Sequence, residues 1–527
     1  MSAKATWKVS AAVMASRVLG LIRDQIFAGM FGYGTLTDCF NIAFRIPNLL
    51  RDLFAEGALS QAFVTTFSKK IKTTGPESAW PLAARMITIM LILMSAISIL
   101  GILFAPQLVH LLTAFGKGKT FSPEDIALTV KMTRIMWPFM LLVSLAALVM
   151  GILNARGVFT IPALSSCFFN LGSIIAGTGI GLWLDPHRGP LTMVGMAIGV
   201  VIGGFGQLAC QIPALRRLGF RWRPDWNWRD SDVRKIFSLM GPAVISASVV
   251  QINVVINSQF ATSIGKSAVS ALSGAFRLMQ LPIGVFGVAV ATVTLPALSL
   301  AATGALGDEF RQTLSKGIRL VTFLVLPCAL GLCLMAEPII SAVFEVGRFS
   351  AENRHVTAAA LRGYGIGLLA YSWLKVLQPA FYAADRRWVP MMVSFLAIIL
   401  SVASNWYFVV VRGMGVEALA MTTSLVATTN FLILYVVMSR ISSGLETKSL
   451  LALTARLVVA AVPMAAVCIA ANHFLFADPA KWPILLRAAM VAATIAAAAG
   501  VYFTAARLLG ISEARETFSL ISRRFRR

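Results

Sequence analysis

Apolar runs of about 20 residues or more, cut by charged residues and by glycine and proline, recur along the whole chain. They predict 14 membrane-crossing helices: 6–30, 36–65, 80–112, 125–153, 160–183, 191–214, 236–262, 268–300, 318–343, 356–383, 389–411, 416–438, 451–475 and 483–507. The second and the seventh to tenth hold more polar residues than the rest. The expected fold class is therefore an all-α polytopic membrane protein with 14 transmembrane helices.

Composition strengthens that reading. Hydrophobic residues make up 58% of the 527 and charged residues 13%, with a mean hydropathy of +0.80. No soluble domain of this size needs so much apolar surface. At the start, MSAKATWKVSAAVMASRVLG has no uninterrupted apolar core, because Arg17 falls where a signal peptide would be apolar. An uncleaved first span is expected. The six cysteines (39, 167, 210, 328, 333 and 468) show no CxxC pattern and read as inert thiols. The four histidines (110, 187, 355 and 473) sit far apart at span ends, so no metal site is expected.

Charge adds orientation. Lys plus Arg number 46 against 22 Asp plus Glu, for a net +24. Of the basic residues, 27 lie in the loops on the side of both termini and 8 in the opposite set. That bias places both termini in the cytoplasm. Clusters such as RRLGFRWRP (216–224) then follow from topology and anionic headgroups, without nucleic acid.

The remaining basic residues lie within spans. Arg85, Lys131 and Arg487 fall near span ends and are expected to snorkel. Arg17, Arg23, Arg45, Arg51, Arg134, Arg277, Arg362 and Lys375 lie nearer the middle, where a cation costs about 2.5–3.5 kcal/mol on insertion scales. Such residues are expected to face a watered cavity lined by protein. Arg17 with Asp24, and Arg45 with Asp52, are spaced to share a helix face and could neutralise each other. Arg277, Arg362 and Lys375 have no acid in their own spans, and Glu337 is the one clear acid near them. A net-positive cavity suits an anion, above all a phosphate or diphosphate held by guanidinium groups.

A repeat organises these charges. FAGMFG (27–32) and AFRIP (43–47) resemble FATSIG (260–265) and AFRLMQLP (275–282), and NARGVFTIP (154–162) resembles AADRRWVP (383–390). The layout predicted is an N-terminal lobe of six spans (1–215), a basic cytoplasmic linker (216–235), a parallel C-terminal lobe of six spans (236–440), a helix pair (441–510) and a basic cytoplasmic tail (511–527). Pro47 and Pro282 are expected to break their helices, and the site to lie between the lobes. No GxxxxGK[ST], HExxH or catalytic triad pattern is present, so no catalytic residues and no cofactor are expected.

SRVLGLIRDQIFAGMFG, TDCFNIAFRIPNLLRDLFAEGALSQAF, AFRLMQLPIGVFGVA and QPAFYAADRRWVP together resemble the MurJ/MviN family of lipid II flippases, within the MATE-like exporter superfamily. The resemblance runs over nearly the whole chain. It implies translocation of an undecaprenyl-diphosphate-linked disaccharide pentapeptide across a bacterial inner membrane by alternating access. It also implies a polyprenyl-tail groove on the last helix pair, contact with membrane lipids, and the cell-wall synthesis machinery as a candidate protein partner. Its essential arginines fall on Arg17, Arg23, Arg51 and Arg277, its acidic positions on Asp24, Asp38 and Glu56, and Arg45 stands where the family often has another basic residue. Some members flank the arginine equivalent to Arg277 with acids; here Phe276 and Gln280 stand there. Where members place sodium, the polar candidates are Asn253, Asn257 and Asn405, and strong sodium binding is not expected. The competing readings are a flippase for another polyprenyl-diphosphate oligosaccharide, a MATE-type antiporter, and a non-transporting scaffold for wall assembly.

Overall fold

In hydrocarbon every backbone polar group must be satisfied within its own segment, which leaves helices as the economical choice for a chain of apolar runs. The computed structural model describes residues 3–51, 59–114, 121–302 and 306–515, and its regular structure there is helical. By contact the chain divides into two units, Met1–Val269 and Ser270–Arg527.

The first unit contains α1 (Ala3–Phe31), α2 (Thr35–Arg51), α3 (Leu59–Thr74), α4 (Trp80–Leu103), α5 (Ala105–Leu112), α6 (Pro123–Ala155), α7 (Thr160–Leu184), α8 (Pro190–Ala209), α9 (Ile212–Arg217) and α10 (Ser231–Ile264). At the division begins α11 (Ala268–Pro282). The second unit continues with α12 (Val288–Ala301), α13 (Asp308–Leu334), α14 (Ala336–Phe344), α15 (Ala351–Ala383), α16 (Trp388–Asn405), α17 (Val416–Ile441), α18 (Thr447–Phe474) and α19 (Ile484–Leu508).

Ten helical segments among the described residues are long and apolar enough to cross a membrane, and they match ten of the predicted spans. The other four predictions also fall on helices. These are α1, α2 running toward α3 (with 52–58 outside the described residues), α10 and α15. α1, α10 and α15 are 29, 34 and 33 residues long.

The repeat is visible in the helix boundaries. α1 ends at Phe31 before Gly32 and α2 starts at Thr35, just as α10 ends at Ile264 before Gly265 and α11 starts at Ala268. Both glycines have positive φ, at 65° and 154°, which suits a residue without Cβ. α4 breaks at Phe104 before the short α5, and α13 breaks at Met335 before the short α14. α6 and α15 are each 33 residues long and each opens on a serine capping box, at Ser122 and Ser350. The two prolines behave differently. α2 runs unbroken through Pro47 to Arg51, so the expected break is absent there. Pro282 ends α11 and is followed by a π-helical turn, Ile283–Gly287.

Within the first unit, Phe63, Phe67, Leu82, Met86, Met90 and Ile152 form a buried core between α3, α4 and α6. α7 and α8 approach until their backbones touch: a Cβ on Gly195 would lie 2.3 Å from the Gly181 Cα, and one on Gly199 2.3 Å from the Gly177 Cα. Small residues every four positions permit this contact, as in other membrane helix pairs.

Two of the residues expected to snorkel are instead ion-paired inside the protein. Arg85 of α4 contacts Asp225 at 2.7 Å and Asp230 at 2.6 Å. The linker is therefore docked on α4, where Thr88 Oγ1 also accepts from Trp222 Nε1 and the Asp225 N–H, and Lys70 of α3 pairs with Asp232. Arg487 of α19 is 5% exposed and meets Glu345 at 3.0 Å, whose other oxygen takes Arg354 of α15 at 2.7 Å. Beyond the end of α19, Glu513 accepts from Arg319 of α13 at 2.6 Å. The six cysteines are free, with Cys39, Cys167 and Cys468 buried.

Candidate functional site

α1 and α2 carry most of the predicted site, and an aromatic seam holds them in place. Phe27 of α1 meets Phe40 of α2 at 4.8 Å between ring centroids; Phe44 meets Phe139 of α6 at 5.4 Å, and Phe139 meets Phe169 of α7 at 5.3 Å. Such ring pairs contribute about 0.5–1.5 kcal/mol each beyond their buried area. The i, i+4 spacing of Phe40 and Phe44 was the sequence signal for this seam, and sequence reasoning missed it. On the other side, α1 rests on α7 through Asn170, whose amide donates to the Ser16 carbonyl at 3.1 Å beside Gly20.

On this frame Arg23 is half-buried. Its guanidinium lies 5.6 Å from the centre of the Phe169 ring and donates to Asp24 at 3.0 and 3.3 Å. Asp24 is thus held by its sequence neighbour, where helical spacing had pointed to Arg17. Arg17 is exposed and makes no ion pair among the described residues. Asp38, in the first turn of α2, is fully buried, at the helix end whose dipole favours a carboxylate. Arg45 and Arg51 are half-buried further along α2. The first unit thus carries Arg17, Arg23 and Asp24 on α1 and Asp38, Arg45 and Arg51 on α2, two helices whose Phe27 and Phe40 rings meet. Glu56, and the Asp52 expected beside Arg45, lie outside the described residues.

In the second unit Arg277 is exposed on α11. Phe276, at the position where some related sequences carry an acid, packs edge-on against Tyr364 of α15 at 5.5 Å. An apolar partner explains the apolar residue. Arg362 does not contribute free charge, because Glu337 of α14 takes it at 2.8 Å, with His355 at 3.5 Å. Lys375 is exposed. Asn405 is buried and accepts from Thr422, while Asn253 and Asn257 are half-buried on α10 in the first unit. Among the described residues no His, Cys, Asp or Glu cluster could hold a metal ion.

Among the described residues, α1 and α2 together offer four guanidinium groups against two carboxylates. That excess of cationic groups is complementary to an anion.

A family model described as "Lipid II flippase MurJ" matches residues 27–483. The chain is 34% identical over 438 residues to a probable lipid II flippase MurJ of Vibrio cholerae serotype O1, covering 81% of each. It resembles in fold a solved lipid II flippase MurJ in an inward closed conformation, with a TM-score of 0.75 at 24% identity over 94% of this chain and 98% of that one. It also resembles an inward-facing multidrug resistance MATE family transporter, with a TM-score of 0.66 at 16% identity over 81% of this chain and 95% of that one.

Proposed function

The chain belongs to the lipid II flippase MurJ family, and on that premise we propose that it carries lipid II from the inner to the outer leaflet of the bacterial cytoplasmic membrane. The observation that carries this reading is the excess of arginine over carboxylate on α1 and α2. The arginines Arg17, Arg23, Arg45, Arg51 and Arg277 receive the diphosphate, whose oxygens match guanidinium forks. Asp24, Asp38 and Glu56 keep those side chains apart and oriented when no substrate is bound. The protein binds and moves its substrate without chemical change.

The chain crosses the membrane 14 times with both termini in the cytoplasm, an even count and an orientation that the bias of basic residues supports. The headgroup passes through the protein while the polyprenyl tail stays in lipid. The tail runs along α18 and α19, where Val459, Val462, Ile469 and Leu485 are exposed. Bound diphosphate neutralises the mutual repulsion of the arginines and permits the closure that alternating access needs. A cytoplasm-negative potential assists, since each net negative charge moved outward gains about 2.3 kcal/mol per 100 mV.

The test is reconstitution into vesicles with labelled lipid II. Time-dependent access of the label to a membrane-impermeant reagent, dependent on the protein, supports the reading; equal access in protein-free vesicles refutes it.

A further inference from the structure

α5 and the first turns of α6 border a groove of about 740 Å³ that the proposed transport path does not use. Its apolar wall includes Phe121, Ile126 and Val130, and its polar groups are His110, Lys131 and Arg134. All three polar groups are exposed. Arg134 Nε donates to the Ile102 carbonyl at 3.3 Å, and no ion pair to any of the three occurs among the described residues. The nearest acid in sequence, Asp125, spends its carboxylate on the backbone and hydroxyl of Ser122.

The internal repeat shows what is missing. Arg134 is the twelfth residue after the capping serine Ser122, and Arg362 is the twelfth after Ser350. In the second unit α14 places Glu337 as its second residue, and Glu337 neutralises Arg362 at 2.8 Å. The second residue of α5 is Pro106. The first unit thus has the arginine without the acid, and has Lys131 and His110 beside it. Its charge calls for an anion from outside the chain.

Depth selects the anion. At 1.5 Å per residue the 33-residue α6 is ~50 Å long, against ~30 Å of hydrocarbon, so when centred it projects ~10 Å beyond each edge. Lys131 and Arg134 lie ~12 Å and ~16 Å from its start, at and just inside the polar boundary of the bilayer. Arg134, expected nearer the middle of its span, thus stands close to the edge because α6 is longer than the hydrocarbon is thick. That is where phospholipid phosphates meet their acyl chains, and long basic side chains can reach up to them.

We infer that this groove binds an anionic phospholipid. Lys131 and Arg134 hold its phosphodiester, His110 donates from the facing helix, and an acyl chain lies against Ala127, Val130 and Ile135, which line the groove and keep surface exposed. Its placement in the outer leaflet rests on the orientation proposed above; the binding itself does not.

The test is native mass spectrometry of the full chain in detergent, titrated with phosphatidylglycerol or with phosphatidylcholine. In the Lys131→Gln/Arg134→Gln variant the tightest phosphatidylglycerol binds about tenfold more weakly or worse, as expected for losing charged hydrogen bonds. The charge-keeping Lys131→Arg/Arg134→Lys variant binds as wild type, and so does Arg216→Gln/Arg217→Gln on the linker. Undiminished phosphatidylglycerol binding in the first variant, equal wild-type affinity for phosphatidylcholine, or an equal loss in the linker variant would overturn the proposal. Because the readout is binding, failure of lipid II transport leaves this result unchanged.

Discussion

Arg487 of α19 donates to Glu345 at 3.0 Å from a side chain only 6% exposed. Glu345 also takes Arg354, so one carboxylate holds two guanidinium groups and ties α19 to α14 and α15. Ser341 completes the cluster by accepting from Arg487 at 2.6 Å.

Removing the shared carboxylate leaves two cations buried without compensation. Glu345→Ala is expected to destabilise the second unit by about 3–5 kcal/mol. Arg487→Ala keeps the Arg354–Glu345 pair and costs less. Thermal unfolding of both variants in one detergent checks the order. Equal melting of Glu345→Ala and wild type would show that the cluster is not holding the helices.

The linker clamp has a pH limit. Burial pushes the Asp225 carboxyl up, but the Asn227 N–H and the Arg85 guanidinium outweigh it and hold the group below the usual carboxylate value of 3.8. A lowered carboxylate stabilises the folded form fully above its unfolded pKa and loses that stabilisation as pH falls through the folded one. Protease cleavage between 216 and 230 is therefore expected to stay slow from about pH 5 to 8 and to rise only below about pH 4. Arg85→Ala should speed it at neutral pH. Cleavage that changed between pH 6 and 8 would assign control to another group.

Arg23 both pairs with Asp24 and lies over Phe169, and a lysine ammonium cannot reproduce the planar fork. Arg23→Lys is expected to lower lipid II transport in vesicles about tenfold while the melting temperature stays near wild type, the rate ratio of one lost charged hydrogen bond. Wild-type transport in Arg23→Lys would reduce its role to charge alone.

Much of the architecture was legible in the sequence because helix periodicity and helix ends are local properties. Gly32 and Gly265, and the serines 122 and 350, mark the same boundaries in both halves. Charge pairing was less legible. Helical spacing sees only residues three, four or seven apart, so Arg17 was matched to Asp24 when the adjacent Arg23 reaches it. The partners of Arg85 and Arg487 lie 140 to 145 residues away in the chain, and no periodicity reveals them. Pro47 was read as a break; α2 continues past it because a proline removes one donor without forbidding the next turn.

The central claim is that these arginines serve lipid II. It is tested most directly by measuring lipid II exposed on the outer leaflet of cells depleted of the protein, then resupplied with wild type or Arg277→Ala. The account predicts a fall on depletion, restored by wild type and not by an Arg277→Ala protein present in the membrane at wild-type level. Unchanged exposure on depletion, in cells with no second flippase, would contradict lipid II as the substrate; full rescue by Arg277→Ala would remove that arginine from the path.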